Sequence, residues 1–264
     1  MKSKKTLVLV DFSNLCFACW YPAVSANKAD SKYDPHEVFK NNLDGKLGTL
    51  FRTLSEIGLQ EYIINFVEDR KSLRKYDLWP SYKANRPPLE HDPRPEAKAY
   101  LVSEGYKGFL FSPDNEADDA IAAATALVLN DRDVIICSSD KDLWQLKRPG
   151  VDIWQLTKDR FVTYEMIVEE FGVSQVSQIP IVKALWGDSG DNVPNAVPRM
   201  QKQLMPYVLD SANLDSFFGV LSNFSTGRSD RCNELLSKGE EQVRLNYKLV
   251  KLDDQCPIEA SEIK

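Results

Sequence analysis

Val134-Ile135-Ile136-Cys137-Ser138-Ser139-Asp140-Lys141-Asp142 sets four apolar residues, three of them β-branched, directly before two hydroxyl residues and a pair of acids. An unbroken apolar run of this length is the pattern of a strand buried on both faces, as parallel strands are. The acids fall where that strand must end. The same order occurs twice upstream: Leu7-Val8-Leu9-Val10 runs into Asp11, and Tyr62-Ile63-Ile64-Asn65-Phe66-Val67 runs into Glu68-Asp69. Between these runs lie helical periods. Val38, Leu43, Leu47, Leu50, Phe51 and Leu54 mark a helix over 35–57 that closes near Gly58, and a second helix is expected over 95–104. A short strand follows at Phe109–Phe111, then a helix capped by Asn115 with Ala120, Ile121, Ala124 and Leu127 on its inner face. A strand is expected at 151–155 and mainly helices from Tyr164 to Leu249. Strands alternating with helices predict an α/β fold, a doubly wound, mostly parallel sheet. Such sheets bind ligands beyond the carboxyl ends of their strands, where Asp11, Asp69 and Asp140 would lie. The change of character near residue 160 predicts a core over 1–160 and a helical region over 161–264.

Nine carboxylates fall into five clusters on this frame: Asp11; Asp69; Glu116, Asp118 and Asp119; Asp140 and Asp142; Asp188 and Asp191. Acids converging from five elements repel one another, so a fold that gathers them needs cations between them. That requirement points to a site for more than one Mg²⁺ or Mn²⁺ ion, and such sites act on phosphodiesters. Glu116 and Asp119 are three apart and share a helix face, with Asp118 projecting to one side; acids in a first turn also complement the helix dipole. Asp140 and Asp142 alternate, which in extended chain points both the same way. Gly187-Asp188-Ser189-Gly190-Asp191-Asn192-Val193-Pro194 is a turn by composition, with an Asx-turn or a Ca²⁺ loop as alternatives. An EF-hand is excluded, since no Glu closes the loop at the required spacing.

The chain has 264 residues and a formal charge of −6, which looks wrong for a nucleic-acid binder. Setting the nine clustered acids aside leaves +3, and distribution matters more than the total. Residues 70–94 carry seven basic side chains against three acidic ones, with Tyr76, Trp79 and Tyr82 interleaved. That stretch fits neither a core strand nor a long buried helix and reads as an excursion from the domain; Pro80 argues against one long helix there. Lys71, Arg74, Lys75, Tyr76, Tyr82, Lys83 and Arg86 are its candidate nucleic-acid contacts, the aromatics as a stacking platform. Five scattered cysteines imply a reducing, cytoplasmic compartment. Cys16 and Cys19 have a redox-pair or half-zinc spacing, but buried thiols on a helix account for them, with no second such pair and His36 and His91 distant in sequence. No stretch reaches the apolar length of a membrane span. Only two histidines make a His-based acid–base mechanism a weak competitor.

Taken together, Val10-Asp11, Asp69 with Tyr82-Lys83-Ala84-Asn85-Arg86, Glu116-Ala117-Asp118-Asp119, Ser139-Asp140-Lys141-Asp142 and Gly187-Asp188 through Asp191-Asn192-Val193-Pro194 resemble the 5′-nuclease family, the flap endonucleases and 5′–3′ exonucleases with a PIN-like core. The resemblance spans roughly 5–205 and is nearest to stand-alone bacterial or phage members. It implies a helical arch formed by about 70–94 and a helix–three-turn–helix module over about 179–209. It assigns Asp11, Asp69, Glu116, Asp118 and Asp119 to one metal site and Asp140, Asp142, Asp188 and Asp191 to a second, with Asp118 bridging. Two ions about 4 Å apart would clamp the attacking and leaving oxygens and leave a 5′-phosphate and a 3′-hydroxyl. Lys83 and Arg86 would neutralise the scissile phosphate. Glu68 competes with Asp69 as ligand; the phage-like register favours Asp69.

The implied partners are DNA with a 5′ flap, branch or nick, an RNA–DNA hybrid, and replication proteins; the chain is expected to act as a monomer in primer removal. One departure stands out. The family's Gly-rich hairpin is replaced by Asn195, Pro198 and Met200, which weakens a backbone-amide grip on duplex phosphate, so Arg199 and Lys202 are expected to take that contact by side chain. Two rival readings are a PIN-domain ribonuclease, which uses fewer acids and lacks the 187–194 module, and a non-catalytic DNA-junction binding protein, which would have lost acids that are all present here.

Overall fold

The computed structural model describes residues 5–198, 200–223, 238–258 and 263. Its elements run β1 (Thr6–Asp11), α1 (Phe12–Ala29), α2 (Pro35–Glu56), β2 (Tyr62–Val67), α3 (Leu73–Leu78), α4 (Arg94–Ser103), β3 (Phe109–Leu110), α5 (Ala117–Val128), β4 (Val134–Cys137), β5 (Val151–Gln155), β6 (Arg160–Phe161), α6 (Tyr164–Phe171), α7 (Ile179–Trp186), α8 (Gln201–Leu209), α9 (Leu214–Asn223) and α10 (Glu240–Val250). The sheet order is β3-β2-β1-β4-β5-β6, parallel except for the last pair. The order reverses between β1 and β4, and their carboxyl ends open the crevice where such sheets take ligands.

Alternation along the strands separates two cores. Val8, Val10, Phe66 and Ile135 face α1, α2 and α4, whereas Leu7, Leu9, Val134 and Ile136 face α5. On α5 the inner stripe is Ala117, Ala120, Ile121, Ala124 and Val128; Leu127, expected inside, is 55 % exposed because Val128 takes the next position on that face. Asn115 does not cap this helix. Its amide is turned back to Ser112 Oγ and the Pro113 carbonyl, and Glu116 occupies the cap position. Cys16 and Cys19 are buried thiols on α1, and burial pushes the Cys19 thiol up to about 12.

A third apolar cluster joins α7, α8, α9 and α10. Ile167, Val173 and Ile179 still pack with the sheet, so partners change at 179–181, some twenty residues past the compositional shift near 160. The basic excursion contains one helix of six residues, α3, followed by turns, and Tyr82 inserts into the third cluster at 2 % exposure. The turns lie against the 187–194 loop: Trp79 Nε1–H donates to the Asn192 carbonyl (3.0 Å), Lys83 N–H to the Asp191 carbonyl (2.9 Å) and Asn85 Nδ2–H to the Ser189 carbonyl (2.6 Å). No helix among the described residues is long and apolar enough to cross a membrane.

Candidate metal centre

β1 ends in an aspartate that also starts α1. Asp11 Oδ1 accepts the Asn14 N–H (2.9 Å) and Oδ2 accepts the Ser138 hydroxyl (2.7 Å), while Ser139 N–H donates to Asn14 Oδ1 (2.9 Å). The ends of β1 and β4 are thus stitched together. Asp69, two residues past β2, accepts the Ala117 N–H (3.0 Å), so its carboxylate supplies the side-chain cap that α5 lacks in its own sequence. Glu68 turns the other way, to Lys98 (2.9 Å) and Arg70 (3.3 Å). Asp69 is therefore the acid that the fold delivers to the crevice.

Asp11, Asp69, Glu116 and Asp118 line a cavity of about 550 Å³ with Lys83, Arg86 and Arg94. Asp142, Asp188 and Asp191 line a neighbouring cavity of about 660 Å³ with Lys183. Asp140, Asn14 and Arg86 line both, so the two cavities are adjacent. Carboxylate oxygens of Asp142, Asp188 and Asp191 lie within 4.8 Å of one another. Asp140 and Asp142 do not reach this place on extended chain. Asp140 Oδ1 accepts the Asp142 N–H (2.8 Å), and a 3₁₀ turn begins at Asp142. The 187–194 loop is an Asx-turn closed by the Asp188–Val193 bridge, with Asp188 Oδ1 accepting from Gly190 N–H (2.9 Å) and Asp191 N–H (3.3 Å).

Gly187 makes that turn possible. Its φ is +75°, and a Cβ there would lie 2.5 Å from the Val193 carbonyl oxygen. Gly187→Ala is expected to cost about 2 kcal/mol or more in stability and to displace Asp188, read by chemical denaturation.

Three expected residues occupy other places. Asp119 is fully buried away from the cavities, its carboxylate 3.0 Å from Lys75 Nζ and accepting the Asp253 N–H (2.9 Å). Lys75, expected on a DNA-facing surface, is 3 % exposed because its ammonium sits between Glu116 (2.8 Å) and Asp119. Tyr82 cannot stack on a base while buried; its hydroxyl lies 2.9 Å from Glu116 Oε2 and 2.8 Å from Asp191 Oδ2 and gives its one proton to one of the two. Tyr76 packs edge-on against Tyr82 with Lys71 over its ring, and Arg74 donates to the Lys248 carbonyl (3.1 Å). Lys202 is exposed at the start of α8, and Arg199 lies outside the described residues.

One cation absent from the sequence reading, Lys183, and two that it named, Lys83 and Arg86, complete the centre. Lys183 bonds Asp142 and lies 2.6 Å from Asp188; it is in the last turn of α7, five residues before that acid, a position that could have flagged it. Lys83 bonds Glu116 and lies 3.8 Å from Asp191, and Arg86 donates to Asp191 (2.6 Å). Burial, then the Asp140 and Asp69 charges, raises Asp11; burial and Asp140, Asp11 and Asp142 raise Asp118 well above the usual carboxylate range. Asp69 and Asp142 are also raised, chiefly by burial. Glu116 shows the opposite: burial works against its charge, but Lys75 and Lys83 hold it down to about 2. Acids that repel this strongly, offering only hard oxygen donors, fit divalent ions that prefer oxygen.

The sign of the pH effect follows. Between the ordinary 3.8 and its raised value, about 7 for Asp11, each raised acid binds more protons folded than unfolded. Metal-free stability must fall as pH rises through that window. Glu116 and Asp188, both lowered, act below their ordinary values of 4.5 and 3.8 and so only below about pH 5. In a chelator the melting temperature is expected to drop by several degrees from about pH 5 to about pH 8, with Mg²⁺ or Mn²⁺ restoring more at the higher pH. A flat profile by scanning fluorimetry would count against the convergence.

Residues 6–172 match the family model described as 5′-3′ exonuclease, N-terminal resolvase-like domain. The chain is 32% identical to the flap endonuclease Xni of Shewanella pealeana over 72% of its own length and 73% of that protein. It is 28% identical to the 5′-3′ exonuclease of Bacillus subtilis over 96% of its length and 84% of that protein. In fold it is similar to the flap endonuclease of bacteriophage T5, solved as a pseudo-enzyme–product complex with DNA and metal ions, with a TM-score of 0.68, 20% identity, and coverage of 96% of this chain and 91% of that one. The carboxylate centre at the β1–β4 crevice and the family match over most of the sheet agree: this chain belongs to the 5′-3′ exonuclease family of 5′ nucleases.

Proposed function

We propose that this chain is a divalent-metal-dependent, structure-specific 5′ nuclease acting on flapped, branched or nicked DNA as a flap endonuclease and 5′–3′ exonuclease. The observation that carries the reading is the pair of adjacent cavities that share Asp140 between two groups of acids, with Asp118 near enough to feel Asp11 and Asp142 alike and with Lys83 and Arg86 in the lining. Asp11, Asp69, Glu116 and Asp118 would hold one Mg²⁺ or Mn²⁺ ion and Asp140, Asp142, Asp188 and Asp191 a second. The chemistry those ions supply is acidification of a water and neutralisation of charge on the departing oxygen.

The protein's own groups do the rest. Lys83 and Arg86 pair with Glu116 and Asp191; with ions balancing those acids, both cations would be free to grip the incoming phosphate. Lys83 is held for this by a left-handed backbone (φ 55°) anchored on the Asp191 carbonyl. Asp11 is fixed by Asn14 and Ser138, so a ligand here need not be ordered at the moment of reaction. The products are a 5′-phosphate and a 3′-hydroxyl, which suits removal of 5′ ends, including RNA primers on DNA, in replication.

A 5′-labelled flap substrate incubated with Mg²⁺, Mn²⁺ or EDTA tests the assignment. Cleavage near the flap base with metal and none with EDTA is expected. Tight binding without metal-dependent cleavage would instead favour a junction-binding protein. A product ladder on flap, nicked and RNA–DNA hybrid substrates then ranks the activities.

A further inference from the structure

The chain has two histidines, 55 positions apart, and the fold brings them together. His36 stands in the first turn of α2 and His91 on the leg by which the basic excursion returns to the core. Their ring centroids are 5.6 Å apart, and both pack on Trp20 of α1, His91 at 4.3 Å and His36 at 5.3 Å. Glu96, in the first turn of α4, accepts from or pairs with His36 Nδ1 at 2.7 Å. One donor atom from each of His36, His91 and Glu96 falls within 4.8 Å of the others. None of the three lines the carboxylate cavities.

We propose that His36, His91 and Glu96 bind one transition-metal ion of the Zn²⁺ class. Two imidazoles and one carboxylate are a donor set that zinc accepts with a fourth position left to water, and imidazole selects such ions over Mg²⁺. An ion pair between His36 and Glu96 explains two of the residues but not why the second histidine joins them. His91 has no hydrogen-bond partner among the described residues, so its nitrogens are open to a ligand. Trp20 packs against both rings and limits their tilt. Closing the site takes small rotations of exposed side chains, and Lys40, 3.8 Å from Glu96 and 44% exposed, is free to swing aside. The bound ion fastens the returning leg of the excursion to α2 and α4 at His91, four residues after Pro87 and five after Arg86.

The test uses the whole chain without a histidine tag, stripped with chelator and then held in excess Mg²⁺ to fill the carboxylate centre. With two histidines in the chain, imidazole nitrogen spectra report two rings. Zn²⁺ is expected to shift both together, saturating at one equivalent, and to slow amide exchange over 89–92. His91→Ala and Glu96→Gln should each weaken binding roughly tenfold or more, with Glu96→Gln the safer variant because it keeps the side-chain shape. Co²⁺ should bind the same place and give a visible ligand-field spectrum that both variants diminish. Rings that shift independently or not at all, or Zn²⁺ affinity unchanged in both variants, would overturn the site.

Discussion

Asp118→Asn is expected to lower the cleavage rate by ~10³-fold or more while raising the stability of the metal-free protein. Both effects come from one charge. Asp118 projects from the first turn of α5 into the space between the two groups of acids, and burial with Asp140, Asp11, Asp142 and Glu116 raises its carboxyl. Asparagine keeps the shape and one oxygen but removes the charge that would hold ions on either side. Correctly held ions contribute several kcal/mol of charge stabilisation, and about 1.4 kcal/mol is a factor of ten in rate. In chelator the same substitution deletes a source of repulsion, so the melting temperature should rise, most at high pH. Duplex and flap binding in Ca²⁺ should change little, because the phosphate-facing cations Lys83 and Arg86 remain. Cleavage within about tenfold of the unsubstituted protein would remove Asp118 from the centre of the mechanism.

How much of this was legible beforehand depended on the kind of signal. The strands Leu7–Val10 and Val134–Cys137 announce themselves because a strand buried on both faces has no polar positions, and their ends place Asp11 and Asp140 with no knowledge of the rest. Such an argument needs only local periodicity. Local reasoning failed wherever a partner came from afar. Lys75 and Tyr82 look like surface residues because their neighbours in sequence are basic, yet Glu116 and Asp119 draw Lys75 inward and α7 and α10 enclose Tyr82. Asn115 reads as a cap for α5, but Asp69 arrives from β2 and serves instead. Lys183 carried only one weak signal, its place five residues before Asp188, because nothing in a short apolar helix says which acids lie across from it. Acids could be counted; of the cations that answer them, Lys83 and Arg86 were legible from their motif, whereas Lys75 and Lys183 were not placed beside their acids.

Lys75→Met is expected to cost about 3–5 kcal/mol of folding stability. The ammonium is 3 % exposed and lies between Glu116 at 2.8 Å and Asp119 at 3.0 Å, and the surrounding acids raise its pKa despite burial. Methionine fills a similar volume, so packing changes little and the loss reports charge. Removing the ammonium strands two carboxylates, one of them fully buried, where water cannot replace the partner. The pattern across a cycle separates this from a DNA contact. Asp119→Asn added to Lys75→Met should recover a large part of the lost stability, since the isostere keeps the Asp253 N–H bond through its amide oxygen while shedding the orphaned charge. Glu116 would still need Lys83, so cleavage is expected to recover less than folding. A lysine that merely touched phosphate would behave in the opposite way, leaving unfolding unchanged and lowering the salt dependence of DNA binding. If Lys75→Met unfolds at the same denaturant concentration as the unsubstituted chain, the buried pair does not exist in solution, and the place of Asp119 outside the metal centre falls with it.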